Sequence, residues 1–186
     1  MDLNLPTNLT LIRIVMIPVL VFMFYMPWNA SNAICTFIFV AAAVTDWLDG
    51  YLARRMNQVT KFGAFLDPVA DKLMVAVVLV LIVQAEPSAY LAVPAAVIIG
   101  REITIASLRE WMAELGLRNR VEVSWIGKVK TFAQMAAITG LLFRGELFGI
   151  STRVVGYVLL YVAVILTLWS MVNYLRAALP SLLEQR

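Results

Sequence analysis

The 186-residue sequence contains no histidine, which excludes every mechanism that uses imidazole as base, nucleophile or metal ligand. It has one cysteine, Cys35, set in an apolar run, so an intramolecular disulfide is impossible and a packing role is expected. Charge is scarce as well. Asp, Glu, Lys and Arg together make up 15% of the residues, against 62% hydrophobic. No water-soluble domain of this length needs so much apolar sequence for a core, and little would remain to form its polar surface. Composition therefore points to lipid as the solvent. The 15 Lys and Arg against 12 Asp and Glu give a net charge of only +3, so the positions of the charges carry more information than their sum.

Apolar runs long enough to cross a ~30 Å hydrocarbon core, which takes ~20 helical residues, occur at about 9–28, 33–53, 66–84, 88–109, 124–143 and 153–175. The breaks between them carry turn chemistry, as in "MPWNASN", "QAEPS" and "FRGELFG". The expected fold is an all-α integral membrane protein, a bundle of six transmembrane helices forming one domain over residues 1–186. An even number of spans puts both termini on one side. The loops, tails and helix ends there hold Arg54, Arg55, Lys61, Arg109, Arg118, Arg120, Lys128 and Arg176, whereas the opposite loops offer Arg144 and Arg153. By the positive-inside rule both termini are cytoplasmic. The first run follows Asp2, has Arg13 as its early positive charge and lacks an A-x-A site after Trp28, so it reads as a retained helix rather than a cleaved signal.

Against this background the acids stand out. Asp46, Asp49, Gly50, Ala53 and Arg54 fall within an arc of roughly 140° on the second span, at 100° per helical residue. Gly63, Asp67 and Asp71 recur every four residues along one side at the start of the third. Four carboxylates crowded at the cytoplasmic ends of two helices would repel one another unless cations neutralised them. Oxygen ligands without Cys or His select a hard divalent ion, Mg²⁺ or Mn²⁺, and four ligands suit a pair of ions engaged in phosphoryl transfer. Any one of these aspartates could instead be a solvated helix cap. Gly50, Ala53 and Gly63 leave room beside the acids for a base or a diphosphate, although small residues also serve close helix packing. Arg54 is placed either to anchor the helix end or to hold a phosphate.

A second polar block lies in the other half of the chain. "GREITIASLREW" puts Arg101 and Arg109 on one face of the fourth span, and Arg101 sits several residues inside that span, so a membrane anchor explains it less well than it explains Arg109. Glu102 beside it can pair with a neighbouring cation. In "SWIGKVKTFAQ", Ser124, Gly127, Lys128, Thr131 and Gln134 share an arc of roughly 120° on the fifth span, with Lys130 flanking it. A cationic stripe facing the carboxylates would hold an anionic acceptor, most naturally a phosphate monoester.

The pattern Asp46-x-x-Asp49-Gly50-x-x-Ala53-Arg54, eight residues, Gly63-x-x-x-Asp67-x-x-x-Asp71 resembles the complete signature of the CDP-alcohol phosphatidyltransferase family. The family's six-helix fold agrees with the span count. The resemblance implies transfer of a phosphatidyl group from a CDP-linked lipid to an alcohol, with release of CMP. It implies Asp46, Asp49, Asp67 and Asp71 as ligands of two metal ions, Asp71 as the general base, and Gly50, Ala53, Arg54 and Gly63 as the CDP-diacylglycerol site. Ser124-x-x-Gly127-Lys128-x-Lys130-Thr131-x-x-Gln134, "REITIASLREW" and the opening "NLPTNLTLIRI" resemble the bacterial branch of that family whose acceptor is sn-glycerol 3-phosphate. That resemblance implies Arg101, Lys128 and Lys130 as the glycerol-3-phosphate site, with Arg109, Ser124, Thr131 and Gln134 as further candidates and phosphatidylglycerol phosphate as the product. Thr7 departs from the asparagine that many relatives carry after the proline. Asn8, Thr10 and Arg13 match the usual pattern and are candidates for the cytidine or metal shell.

The partners expected are therefore CDP-diacylglycerol, sn-glycerol 3-phosphate and membrane lipid, with no nucleic acid, and the family implies a homodimer. The expected location is the bacterial inner membrane, with the site facing the cytoplasm. Another acceptor alcohol is the alternative within the family. A divalent-cation transporter is the alternative outside it, but that would place its acids near the midplane on broken helices. A noncatalytic scaffold would leave both charged stripes without a role.

Overall fold

The computed structural model describes residues 5–56, 61–114 and 125–183. Six helices follow in order: α1 (Leu5–Phe24), α2 (Ser31–Met56), α3 (Lys61–Ala85), α4 (Ala89–Glu114), α5 (Trp125–Phe143) and α6 (Thr152–Leu183). One helix thus forms on each apolar run. The ends differ by a few residues, and the differences matter at α3, which starts early enough to take Gly63 into its first turn, one turn ahead of Asp67. Among the described residues, three stretches are long and apolar enough to cross a membrane: Ser31–Leu48 of α2, Ala89–Glu114, and Thr152–Arg176 of α6. The apolar parts of α1 and α5, Asn8–Phe24 and Val129–Phe143, are shorter. α3 carries Lys61, Asp67, Asp71 and Lys72 in its first half, so its uncharged stretch starts only beyond them.

Local chemistry explains several boundaries. Ser88 caps α4, its Oγ accepting the amide of Tyr90 at 3.2 Å. Between α5 and α6, where the sequence suggests only a turn, two strands of two residues pair antiparallel: β1 (Glu146–Leu147) and β2 (Ile150–Ser151). The connecting Phe148 and Gly149 have φ of 53° and 77°, as a primed two-residue hairpin turn requires. Inside the helices, hydroxyls that lipid could not satisfy donate back to the preceding turn. Thr36 bonds the Asn32 carbonyl at 2.7 Å and Thr139 the Met135 carbonyl at 2.8 Å.

The core runs along the bundle axis through Leu20, Phe39, Val78, Leu79, Ile98, Ile138 and Leu160. α1 packs on α2 and α3, α4 on α3 and α6, and α5 on α6 and α2. The α5–α6 contact is the tightest. A Cβ on Gly140 would lie 2.7 Å from the Thr152 carbonyl oxygen, and one on Gly156 would lie 2.9 Å from the Leu141 amide nitrogen. The two glycines therefore let the backbones touch. The outward faces are apolar instead of polar: Phe37, Trp47, Ile103, Phe132, Ile165 and Trp169 are all exposed. A chain with charged groups inside and large apolar side chains outside matches an apolar surrounding solvent.

At the end of the bundle that holds the α1–α2, α3–α4 and α5–α6 connections, polar clamps replace the core. Glu86 accepts from Arg153 and, at 2.8 Å, from the Tyr157 hydroxyl. Tyr25 donates to Gln84. Burial alone would raise the Glu86 carboxyl, but the hydrogen bonds from Tyr157 and Arg153 and the Arg153 charge outweigh it and hold the group below its ordinary value.

Candidate active site

At the opposite end the three N-terminal helices meet through their polar side chains. Thr10 and Arg13 lie one turn apart on α1, so they project from one face. Arg13 is only 2% exposed, and its Nη1 donates to Asp46 Oδ1 on α2 at 2.5 Å. Thr10 donates to Asp67 Oδ1 on α3. Each of these acids is thereby tied to α1, and Asp46 supplies the counter-charge that a guanidinium buried in apolar surroundings needs. The sequence ranked Thr10 and Arg13 behind the aspartates, yet they are what bring the two acidic helices to one place.

Asp71 follows Asp67 by one helical turn and lies within the electrostatic reach of Asp46, Arg13, Glu102 and Lys72. Gly63 is buried one turn before Asp67. Pro68, between the two acids, removes the amide that would otherwise bond the carbonyl of residue 64, which loosens the helix where the carboxylates project. Asp49, Gly50, Ala53 and Arg54 lie on the last turns of α2, but their side chains are outside the described residues.

Asp71 also faces a cavity of about 270 Å³, and there the second polar block appears. Lys72, Arg101, Glu102, Arg109, Lys130, Thr131, Gln134 and Tyr174 share its wall. Arg101, 8% exposed, donates from Nη1 to Glu102 Oε1 at 3.0 Å and from Nη2 to Ser170 Oγ at 3.0 Å. Its guanidinium also stacks over the Tyr174 ring, 5.8 Å from the centroid. Lys130, 4% exposed, donates to the same Glu102 oxygen at 2.5 Å. The sequence placed Lys130 at the edge of the α5 stripe. The structure turns it fully inward, because Glu102 provides the counter-charge that makes its burial tolerable.

Two buried atoms on this wall, Arg101 Nε and Gln134 Oε1, have no hydrogen-bond partner among the described residues. Of the other expected residues, Arg109 and Thr131 line the cavity. The Lys128 side chain and Ser124 lie outside the described residues; Asn8 is exposed on α1. The sequence reading passed over Ser170 and Tyr174. A signal for them existed, since Thr167, Ser170 and Tyr174 form a one-sided polar stripe in an otherwise apolar helix.

Beside the cavity, a larger groove of about 760 Å³ runs between α3 and α4. Apolar residues such as Phe65, Val69, Leu73 and Ile103 line it, and it shares Lys72, Arg101, Glu102 and Arg109 with the polar cavity. The site therefore has an ionic interior and an apolar flank.

The donors around Asp46, Asp67 and Asp71 are all oxygen, which fits a hard divalent cation and not a soft one. Among the described residues no three acidic side chains close to ligand spacing. Asp46 and Asp67 engage Arg13 and Thr10 instead, and the side chain of Asp49 is outside the described set.

Residues 3–169 match the CDP-alcohol phosphatidyltransferase family. The chain is 56% identical over 184 residues to the CDP-diacylglycerol–glycerol-3-phosphate 3-phosphatidyltransferase of Yersinia pestis, covering 99% of this chain and 100% of the relative. It is 55% identical over 185 residues to the protein of the same name from Shigella flexneri, covering 100% of both. The aspartate pattern on α2 and α3, the helical architecture and these full-length matches lead to one assignment: the chain belongs to the CDP-alcohol phosphatidyltransferase family.

Proposed function

We propose that this protein transfers the phosphatidyl group of CDP-diacylglycerol to sn-glycerol 3-phosphate, giving phosphatidylglycerol phosphate and CMP. The observation that carries this reading is that Asp71 and the cations Arg101, Arg109 and Lys130 line one cavity. A phosphate monoester bound to the cations would present its free hydroxyl to a carboxylate on the facing helix.

In this reading Asp71 is the general base. It takes the proton of the acceptor's primary hydroxyl as that oxygen becomes bonded to the lipid-side phosphorus and the bond to the CMP oxygen breaks. Arg101 and Lys130, with Lys128, hold the acceptor phosphate, Arg109 and Thr131 border it, and Ser124 is a further candidate. Gly50, Ala53, Arg54 and Gly63 receive the cytidine diphosphate. Asp46, Asp49, Asp67 and Asp71 would hold the divalent ions, Mg²⁺ or Mn²⁺, and Arg13 and Thr10 orient the first and third of these acids. The bound ions would neutralise the diphosphate and stabilise the charge of the leaving group. Asn8, on the same helix as Thr10, is a further candidate for this shell.

The six helices span the inner membrane with both termini in the cytoplasm, as the loop cations favour, and the protein forms a homodimer, as the family resemblance implies. The test is CMP release from CDP-diacylglycerol by the purified protein with a panel of alcohols. Release should require glycerol 3-phosphate, stop with EDTA and return with Mg²⁺ or Mn²⁺. Arg101→Gln should raise the KM for glycerol 3-phosphate roughly ten- to hundredfold, with that for CDP-diacylglycerol much less changed. A preference for serine or inositol would overturn the acceptor, and full turnover in chelator would overturn the metal.

A further inference from the structure

We infer that Gln134 is a specificity-determining residue that reads the secondary hydroxyl of the acceptor. The inference rests on the proposed acceptor and goes beyond it. Gln134 stands one turn beyond Lys130 on α5, so both side chains leave the same face of the helix. It lines the cavity that holds Asp71 and Arg101, is only 4% exposed, and its Oε1 has no hydrogen-bond partner among the described residues. A buried amide oxygen left without a donor is costly, and its neighbours on α5, Ala133, Met135, Ala137 and Ile138, show that the helix otherwise carries apolar groups here.

An acceptor oxygen needs a ligand that donates. A phosphate group near neutral pH offers mainly acceptor oxygens, and Arg101 and Lys130 already suit it. The complementary group is therefore a hydroxyl. Glycerol 3-phosphate has two, and the primary one must face Asp71 to lose its proton. The secondary hydroxyl remains for Gln134. Cations, Asp71 and Gln134 would then contact the phosphate, the reacting hydroxyl and the non-reacting hydroxyl respectively, a three-point fit that a simple alkyl phosphate cannot satisfy.

The test compares glycerol 3-phosphate with 3-hydroxypropyl phosphate, which keeps the phosphate and a primary hydroxyl but lacks the secondary one. The intact enzyme should favour glycerol 3-phosphate in kcat/KM by roughly ten- to hundredfold. Gln134→Met, which preserves volume, should bring glycerol 3-phosphate down to the level of the analogue and leave the analogue unchanged. Equal use of both acceptors by the wild type would overturn the inference while leaving the proposed function standing. A Gln134→Met variant that loses both acceptors equally would also overturn it, because the amide would then be holding the bundle and not the substrate. Should that variant fail to accumulate, the wild-type ratio decides together with Gln134→Glu, which keeps an acceptor oxygen and must keep the ratio. A wild type that uses neither acceptor would instead refute the proposed function.

Discussion

Replacing Glu102 by Gln should destabilise the empty enzyme and strengthen its grip on phosphate at the same time. Arg101 and Lys130 share one Glu102 oxygen at 3.0 and 2.5 Å, so their cationic nitrogens lie no more than about 5.5 Å apart. At an effective dielectric of ~20, two positive charges at that distance repel by roughly 3 kcal/mol. The shared carboxylate offsets this. Its removal leaves two buried cations facing each other, and breaking a buried pair costs about 3–5 kcal/mol. Glu102 is 20% exposed, so water screens part of the loss and the lower end, about 3 kcal/mol, is the expectation. In a chain of this size that is a fall of roughly 6–12 °C in melting temperature. A phosphate dianion in the cavity supplies the missing negative charge and no longer competes with a carboxylate. Inorganic phosphate should therefore bind Glu102→Gln at least about tenfold more tightly than the wild type, a difference of ~1.4 kcal/mol. At a hundred times its Kd it should restore about 2.7 kcal/mol, most of the loss. The assay is thermal unfolding of the purified proteins in detergent across a phosphate titration, with sulfate and chloride controls. A variant as stable as the wild type without phosphate, or equal stabilisation of both proteins by phosphate, would refute the ion-pair reasoning.

Gly140→Ala should cost about 1–3 kcal/mol by thermal unfolding, because the added methyl meets the Thr152 carbonyl oxygen at 2.7 Å, a backbone atom that cannot swing aside; an unchanged melting temperature would show that α5 and α6 do not pack this closely. Glu86 is held below its ordinary value in the folded state, so its contribution to stability is present near neutrality and disappears as the pH falls through and below the ordinary glutamate range. The melting-temperature difference between wild type and Glu86→Gln should therefore shrink on acidification, and a difference that grows would contradict the assignment. Cysteine labelling on a Cys35→Ala background should find positions 58 and 119 accessible from the cytoplasm and positions 30 and 148 from the other side; a mixed pattern would overturn the six spans.

The sequence alone determined the elements and their chemistry. Each helix sits on an apolar run, because in lipid a backbone must bond within its own segment, and only a helix lets a single run do that. Asp46, Asp49, Asp67 and Asp71 stand out as candidates because carboxylates are costly in such apolar flanking sequence. Arg101 was identifiable for the same reason. Periodicity could say that Gln134 and Lys130 lie close together on α5, but not that their shared face turns inward.

That choice belonged to the tertiary structure. Lys130 turns in because Glu102, on another helix, is there to neutralise it. Arg13 meets Asp46 across 33 positions, and Arg101 meets Ser170 across 69. No local pattern encodes such pairs, since the free energy that selects them is the desolvation of a charge compensated by a partner from elsewhere in the chain. The hairpin between α5 and α6 escaped for a different reason: Phe148 is an uncommon residue at positive φ, and only the close approach of the two helices around Gly140 and Gly156 demands so tight a connection. The sequence thus set which groups the membrane must tolerate, and the packing decided which of them face one another.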